Sequence, residues 1–178
     1  MDEGVLRLAT SDDADAIDVL MKASIRDIFP AWYSDEQTAS AVVHVGHVDR
    51  QLIEDGTYFA IEAGGEVVAC GGWSKRGKLY TGSGDAAGDE RLLDPSSEPA
   101  HVRAMFVRPD WTRRGLGTLI LEACEEAARN EGFTTLDLLA TLPGEQLYAR
   151  FGFREVGRED AVMPDGCALA CVAMTKPL

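Results

Sequence analysis

The sequence predicts a single mixed α/β domain built around one central sheet, and three observations carry that prediction. Strand-like and helix-like runs alternate along the chain in the order strand, two helices, three strands, helix, strand, helix, two strands. No repeat or interior linker divides residues 1–178. With 46% hydrophobic residues in 178, the chain is large enough to bury one real core.

Val5, Leu6 and Leu8 open the chain as a strand, and Thr10, Ser11, Asp12 and Asp13 supply a cap and negative charge for a following helix. Ile17, Leu20, Met21, Ile25 and Ile28 recur at steps of three and four, placing one apolar stripe on that helix, which Pro30 ends. Ser34 with Gln37 forms a second capping-box signature, opening a less regular helical stretch through Val42, Val43, Leu52 and Ile53 up to Gly56. Two β-rich runs, Thr57 to Ala63 and Glu66 to Trp73, flank Gly64 and Gly65 and read as a hairpin. From Ser74 to Pro99 the chain turns to glycine, serine, charge and proline, a long loop with a substrate-covering role as one reading. A strand resumes from His101 to Val107. Leu116, Leu119, Ile120, Ala123 and Ala127 then mark a helix closed by Gly132. Thr134 to Ala140 reads as a strand, Gly144 to Arg150 as a short helix, and Phe153 to Met174 as two strands around a Pro164-Asp165-Gly166 turn.

The balance of 17 Lys and Arg against 30 Asp and Glu, net charge -13, argues against nucleic acid or an anionic membrane surface as partner. That acidity serves solubility first and only hints at cationic substrates. No apolar run has membrane length, and the start carries acid where a signal peptide needs base, so a cytoplasmic protein is expected. Cys70, Cys124, Cys167 and Cys171 show no metal-finger spacing and read as reduced core residues. His44 and His47 have no third ligand nearby, so no metal site is expected.

The chemistry is concentrated between Val102 and Ile120, where an apolar strand leads through a basic, glycine-bearing turn into an amphipathic helix. A helix start offers unpaired N–H groups and partial positive charge, and glycines at 115 and 117 let backbone amides approach an anion closely. Arg113 and Arg114 add cationic side chains in an otherwise acidic chain. A dinucleotide site is a rival reading, because Asp137 follows Gly115-x-Gly117 by about 20 residues. Against an NAD(P)-dependent oxidoreductase stand Ile120 at the third glycine position and the long gap between Val107 and Gly115.

The segment resembles the acetyl-CoA-binding motif of the GNAT N-acetyltransferases, Gln/Arg-x-x-Gly-x-Gly/Ala, and Tyr148-Ala-Arg-Phe-Gly-Phe153 is similar to a second signature of that family in the expected order. Thr112 stands where the family usually has Gln or Arg, Arg113 replaces a common glycine, and an asparagine often found after the next strand is missing from Thr141 to Glu145. The resemblance implies a GNAT-like α/β (α+β) domain with a mixed, mostly antiparallel twisted sheet of about six to seven strands flanked by about four helices. It also implies acetyl-CoA as cosubstrate and an amine acceptor, small molecule or peptide. Strand amides at Phe106 and Val107 would hold the pantetheine arm, and Arg113, Arg114, Gly115, Leu116, Gly117 and Thr118 the pyrophosphate. Tyr148 is the candidate general acid toward the coenzyme thiolate. His101 is a candidate general base, because its strand-start position bears a glutamate base in some relatives, and Arg103 a candidate substrate contact. Homodimers are common among proteins that look like this one, and no sequence feature marks an interface. A non-catalytic acyl-CoA sensor is the alternative outside enzymes.

Overall fold

A computed structural model describes residues 3–78 and 90–178, and it forms one seven-stranded mixed sheet flanked by five helices. In chain order the elements are β1 (Val5–Leu8), α1 (Ala14–Ile28), α2 (Asp35–His44), α3 (Arg50–Glu54), β2 (Tyr58–Ala63), β3 (Glu66–Ser74), β4 (Ala100–Val107), α4 (Leu116–Asn130), β5 (Thr135–Thr141), α5 (Glu145–Phe151), β6 (Arg154–Val162) and β7 (Ala168–Pro177). The strands lie in the order β1-β2-β3-β4-β5-β7-β6, every neighbouring pair antiparallel except β4 with β5.

Local chemistry explains most of the boundaries. Asp13 accepts from the Thr10 backbone at 2.8 Å ahead of α1, and Ser34 and Gln37 cap each other's backbones at the start of α2. Gly64 and Gly65, at φ +58° and +79°, make the tight β2–β3 turn that this twist favours. Ile17, Leu20, Met21 and Ile25 are buried as the stripe predicts, and Ile28 is half-buried at a cleft described below.

Three expectations need correction. The stretch after Ser34 is two helices, because the chain turns at Val45–Gly46, where Gly46 packs against Lys22 and Ile25 and donates its N–H to the Ala41 carbonyl. On α4 the buried face is Gly117, Ile120, Leu121, Cys124 and Ala128, rotated from the expected stripe, so that Leu119 is 37% exposed. The Ser74–Pro99 segment is not wholly loop: Leu93 donates to the Lys75 carbonyl at 2.8 Å and is buried, and Arg76 forks onto Asp55 at 2.7 and 2.9 Å. Its centre, residues 79–89, lies outside the described residues, and the substrate-covering reading falls largely there.

The core divides by sheet face. One cluster packs α4 on the sheet through Ile120, Leu121, Cys124, Trp73 and Leu136. On the other face Ile17, Leu20 and Met21 of α1 meet Tyr58 and Ala60, and Phe29, Tyr33, Met163 and Leu169 close a third cluster beside them.

Candidate active site

The sheet opens at its centre. The parallel pair β4 and β5 is joined only at Ala100–Leu136 and His101–Asp137, and beyond these rungs the strands part. The cause sits on the opposite edge of β4. Cys70 of β3 faces Phe106 while Gly72 faces Arg103, so β4 carries one residue more than β3 over that stretch, a β-bulge. Ala104 occupies it with φ +52°, and the buried Tyr58 hydroxyl donates to the Ala104 carbonyl at 2.7 Å. The extra residue reverses the alternation: Ala100 and Val102 belong to the α4-side cluster, Ala104 and Phe106 to the α1 side, and Met105 and Val107 again to the α4 side. Between the parted strands lies a cleft of about 590 Å³, in the range of small-molecule sites.

On the α4 side the cleft meets a helix start. A 3-10 turn at Pro109–Trp111 leads to Thr112, then to Arg113 at φ +63° and Gly115 at φ +80°. Gly115 is the N-cap residue and supplies no side-chain acceptor, and no acid lies in the first turn of α4. The N–H groups of Leu116, Gly117 and Thr118 therefore face no helical partner, and the three residues line the cleft. Gly117 lets α5 come close, since an added Cβ would sit 2.7 Å from Leu147 Cδ2. That contact sets α5, and with it Tyr148, against the same opening.

Tyr148 rests edge-on against Phe153 with ring centroids 5.9 Å apart. Its hydroxyl makes no hydrogen bond among the described residues, whereas those of Tyr33 and Tyr58 are engaged, Tyr33 donating to the Ala170 carbonyl and accepting from Leu142 N–H. Burial pushes the Tyr148 phenol well above its ordinary pKa, so it is a protonated donor at neutral pH.

On the α1 side the walls are Ser24, Ile28, Phe29, Val45, Leu139, Ala161, Met163, Leu169 and Cys171. Arg103, Arg113 and Arg150 are the charged residues among the described residues lining the whole cleft. Arg103, buried, forms an ion pair with Asp49 at 2.9 Å.

The structure thus brings together Phe106, Val107, Arg113, Gly115, Leu116, Gly117, Thr118 and Tyr148. It does not bring Arg114 or His101 to the lining. Arg114 lies over the Trp111 ring, 4.3 Å from its centroid, and donates to the Asp110 carbonyl at 3.4 Å. His101 sits one residue before the first lining residue of β4, buried, its Nδ1 without a hydrogen-bond partner among the described residues, and burial lowers its pKa so the ring is neutral. Asp137 accepts from the Thr175 hydroxyl at 2.6 Å and is likewise off the lining, which removes the ribose-binding role a dinucleotide site needs. His44 faces Asp165 at 3.5 Å, and among the described residues no group of His, Cys, Asp or Glu is assembled for a metal. Sequence reasoning missed Ala104, Met105, Thr141, Pro143, Leu147 and Arg150 as cleft residues. Ala104 and Met105 lie inside the Val102–Ile120 segment, Thr141 and Pro143 in the stretch compared with the family's asparagine, and Arg150 inside the Tyr148–Phe153 signature, so only Leu147 carried no readable sign.

A sheet split between parallel strands, with an uncapped helix start at one mouth, offers the room and the N–H donors that an elongated anionic ligand would need. The sequence pattern of the acetyltransferase (GNAT) family matches residues 21–153, and the chain belongs to that family. Its fold is similar to a GCN5-related N-acetyltransferase from Rhodopseudomonas palustris, with TM-score 0.73 and 23% identity over 100% of this chain and 98% of that one. It is also similar to PaiA N-acetyltransferase from Thermoplasma acidophilum, solved with coenzyme A, with TM-score 0.66 and 12% identity over 99% of each chain. YncA from Salmonella typhimurium, solved with its cofactor acetyl-CoA, matches with TM-score 0.65 and 17% identity over 99% of this chain and 94% of that one. No described helix is long and apolar enough to cross a membrane.

Proposed function

We propose that the protein is an acetyl-CoA-dependent N-acetyltransferase that acetylates a primary amine by direct attack, with Tyr148 as proton donor to the departing thiolate. The observation that carries this reading is the convergence of three features on one cleft: the uncapped start of α4, the unpaired edge of β4 and the unengaged Tyr148 hydroxyl. Acetyl-CoA supplies the acetyl group as a thioester and leaves as the thiol. The N–H groups of Leu116, Gly117 and Thr118, with the Arg113 side chain, hold the pyrophosphate. Backbone groups of Phe106 and Val107 on the open edge of β4 hold the pantetheine arm and orient the thioester carbonyl. Arg114 acts at the rim, adding to the local positive field while it stacks on Trp111.

The amine nitrogen bonds to the carbonyl carbon, the carbon–sulfur bond breaks, and the Tyr148 proton goes to sulfur, with the surplus proton of the amine returning to the phenolate or to water. A free thiol has a reference pKa of about 8.5, and a thiolate forming in the same apolar cleft loses hydration as the phenol does, which raises its basicity and favours its taking the Tyr148 proton. His101 takes a positioning role in this reading: neutral and buried at the last β4–β5 rung, it steadies the branch point.

Thiol release from acetyl-CoA over an amine panel, with calorimetry for coenzyme binding, tests the reading. Tyr148→Phe should lower kcat by about 100-fold or more while the acetyl-CoA Kd changes less than about twofold. An unchanged kcat at saturating substrates removes Tyr148 from the chemistry. Coenzyme binding without thiol release from any acceptor would instead favour an acyl-CoA sensor.

A further inference from the structure

We infer that the acceptor is a diamine-like molecule whose second, non-reacting ammonium is received by Glu159 at the β6 lip of the cleft; this rests on the acetyltransferase reading above. The register of the last three strands carries the argument. Thr141 of β5 faces Cys171 of β7, and Cys171 faces Glu159 of β6, so the three form one row across the sheet. Thr141 and Cys171 both line the cleft. Directly opposed residues share a sheet face, so Glu159 stands on the cleft side. Alternation along β6 gives the same answer: Ala161, the next residue on that face, is a buried cleft wall, while Asp160 and Val162 on either side of it point the other way and are exposed.

The Glu159 carboxylate acts on the cleft wall and has room before it. The Cys171 thiol is pushed up to about 11, chiefly by burial, and the charges of Asp160 and Glu159 add to the rise. Gly157 lies on the same face as Glu159, and a Cβ added there would meet nothing within 4 Å. Its partner on β7 is the small Ala173, so the floor beside the carboxylate is open. Glu159 forms no ion pair among the described residues, and residues 79–89, outside them, contain no Lys, Arg or His. The nearest cation in sequence, Arg158, is turned to the opposite face, where it holds Glu155 and Glu145.

The strand spacing sets the class of acceptor. Adjacent strands lie about 4.8 Å apart, so Glu159 is about 10 Å from Thr141 on the β5 side of the fork. A glutamate reaching back along this row meets a cation about 7–10 Å from an amine held at the fork, the span of an extended six-carbon diamine. The net charge of -13 draws cations toward the protein without orienting them. Glu159 supplies the orientation, fixing one end of the acceptor while the other meets the thioester. At an exposed lip such a pair is screened by solvent, so its effect is a factor of a few.

The test measures kcat/KM of the full chain with acetyl-CoA and two amines that differ only in the distal group, 1,6-diaminohexane and hexylamine. Glu159→Gln should lower the diamine-to-monoamine ratio about fivefold at low salt, and Glu159→Lys should lower it further. The loss in Glu159→Gln should shrink at high salt. Asp160→Asn removes the same charge from the opposite face and should leave the ratio within about twofold of the parent. An unmoved ratio in an active Glu159→Gln variant, or an equal fall in Asp160→Asn, would overturn the inference and leave the acetyltransferase reading standing. Coenzyme binding with neither amine turned over would also overturn it, whereas failure of acetyl-CoA to bind would overturn both.

Discussion

Tyr58→Phe isolates the device that opens the sheet. The substitution keeps the ring, which is 1% exposed and packed against α1, and deletes only the hydroxyl that donates to the Ala104 carbonyl at 2.7 Å. Losing a neutral hydrogen bond costs about 1 kcal/mol, and a carbonyl left without its partner in this half-buried position can cost about 1–3 kcal/mol. Ala104 holds φ +52°, which a non-glycine residue adopts at a cost of about 1–2 kcal/mol, so removing its anchor favours relaxation of the bulge. The expected result is a stability loss of about 1.5 kcal/mol in urea denaturation, with m unchanged. If the bulge relaxes, β4 regains pairing with β5 at the expense of the cleft, and acetyl-CoA affinity should fall about tenfold, equivalent to about 1.4 kcal/mol. Unchanged stability together with unchanged coenzyme affinity would refute the idea that this hydroxyl holds the fork open. A stability loss with full affinity would confine Tyr58 to the core.

Arg113→Gly separates backbone from side chain at the helix start: glycine adopts φ +63° freely, so stability should hold within about 0.5 kcal/mol, while acetyl-CoA Kd rises several-fold at low salt and the difference shrinks at high salt, as titration calorimetry can measure. Gly72→Ala should destabilise by more than about 2 kcal/mol in thermal unfolding, because the new Cβ overlaps the Thr57 carbonyl oxygen and sits 2.7 Å from Tyr58 Cδ2. Asp13, held down to about 2 chiefly by its hydrogen bonds with Arg7, has a folded pKa below its unfolded one. Its contribution is therefore present above about pH 4 and lost as pH falls through about 2. Asp13→Asn should cost about 1 kcal/mol at pH 7, the solvent-facing Arg7 moderating the figure, and the gap to the parent should close near pH 2 in acid titrations of stability.

Most of the architecture was legible because its signals are local. The Ser34–Gln37 box, the Gly64–Gly65 turn and the α1 stripe each specify their element without tertiary help. The α4 stripe was misread because its closest contacts use Gly117 and Cys124, small residues whose burial hydrophobicity does not announce. The bulge was invisible, since alanine at φ +52° leaves no sequence mark and is held by a tyrosine 46 positions away. Arg113 shows the converse. Its place in a position where relatives commonly carry glycine was readable, and the left-handed backbone there supplies the physical reason for that glycine. His101 was drawn into the site by its position at a strand start, but pairing across the sheet keeps it one step short of the opening.

The bulge and the charge distribution act on the same problem from two ends. An unbulged β4 would run on in register with β5, and its edge amides would be spent on that partner. With the strands parted, those amides lie in a cleft whose walls are largely apolar, where an unpaired N–H is costly. The open state is thus tolerable only while water or a ligand completes those hydrogen bonds, which favours a long polar-backboned arm over a compact solute. At the α4 mouth that arm must end in an anion, since the uncapped N–H groups and Arg113 are positive there. An arm that is polar along its length and anionic at that end satisfies both the parted edge of β4 and the uncapped start of α4.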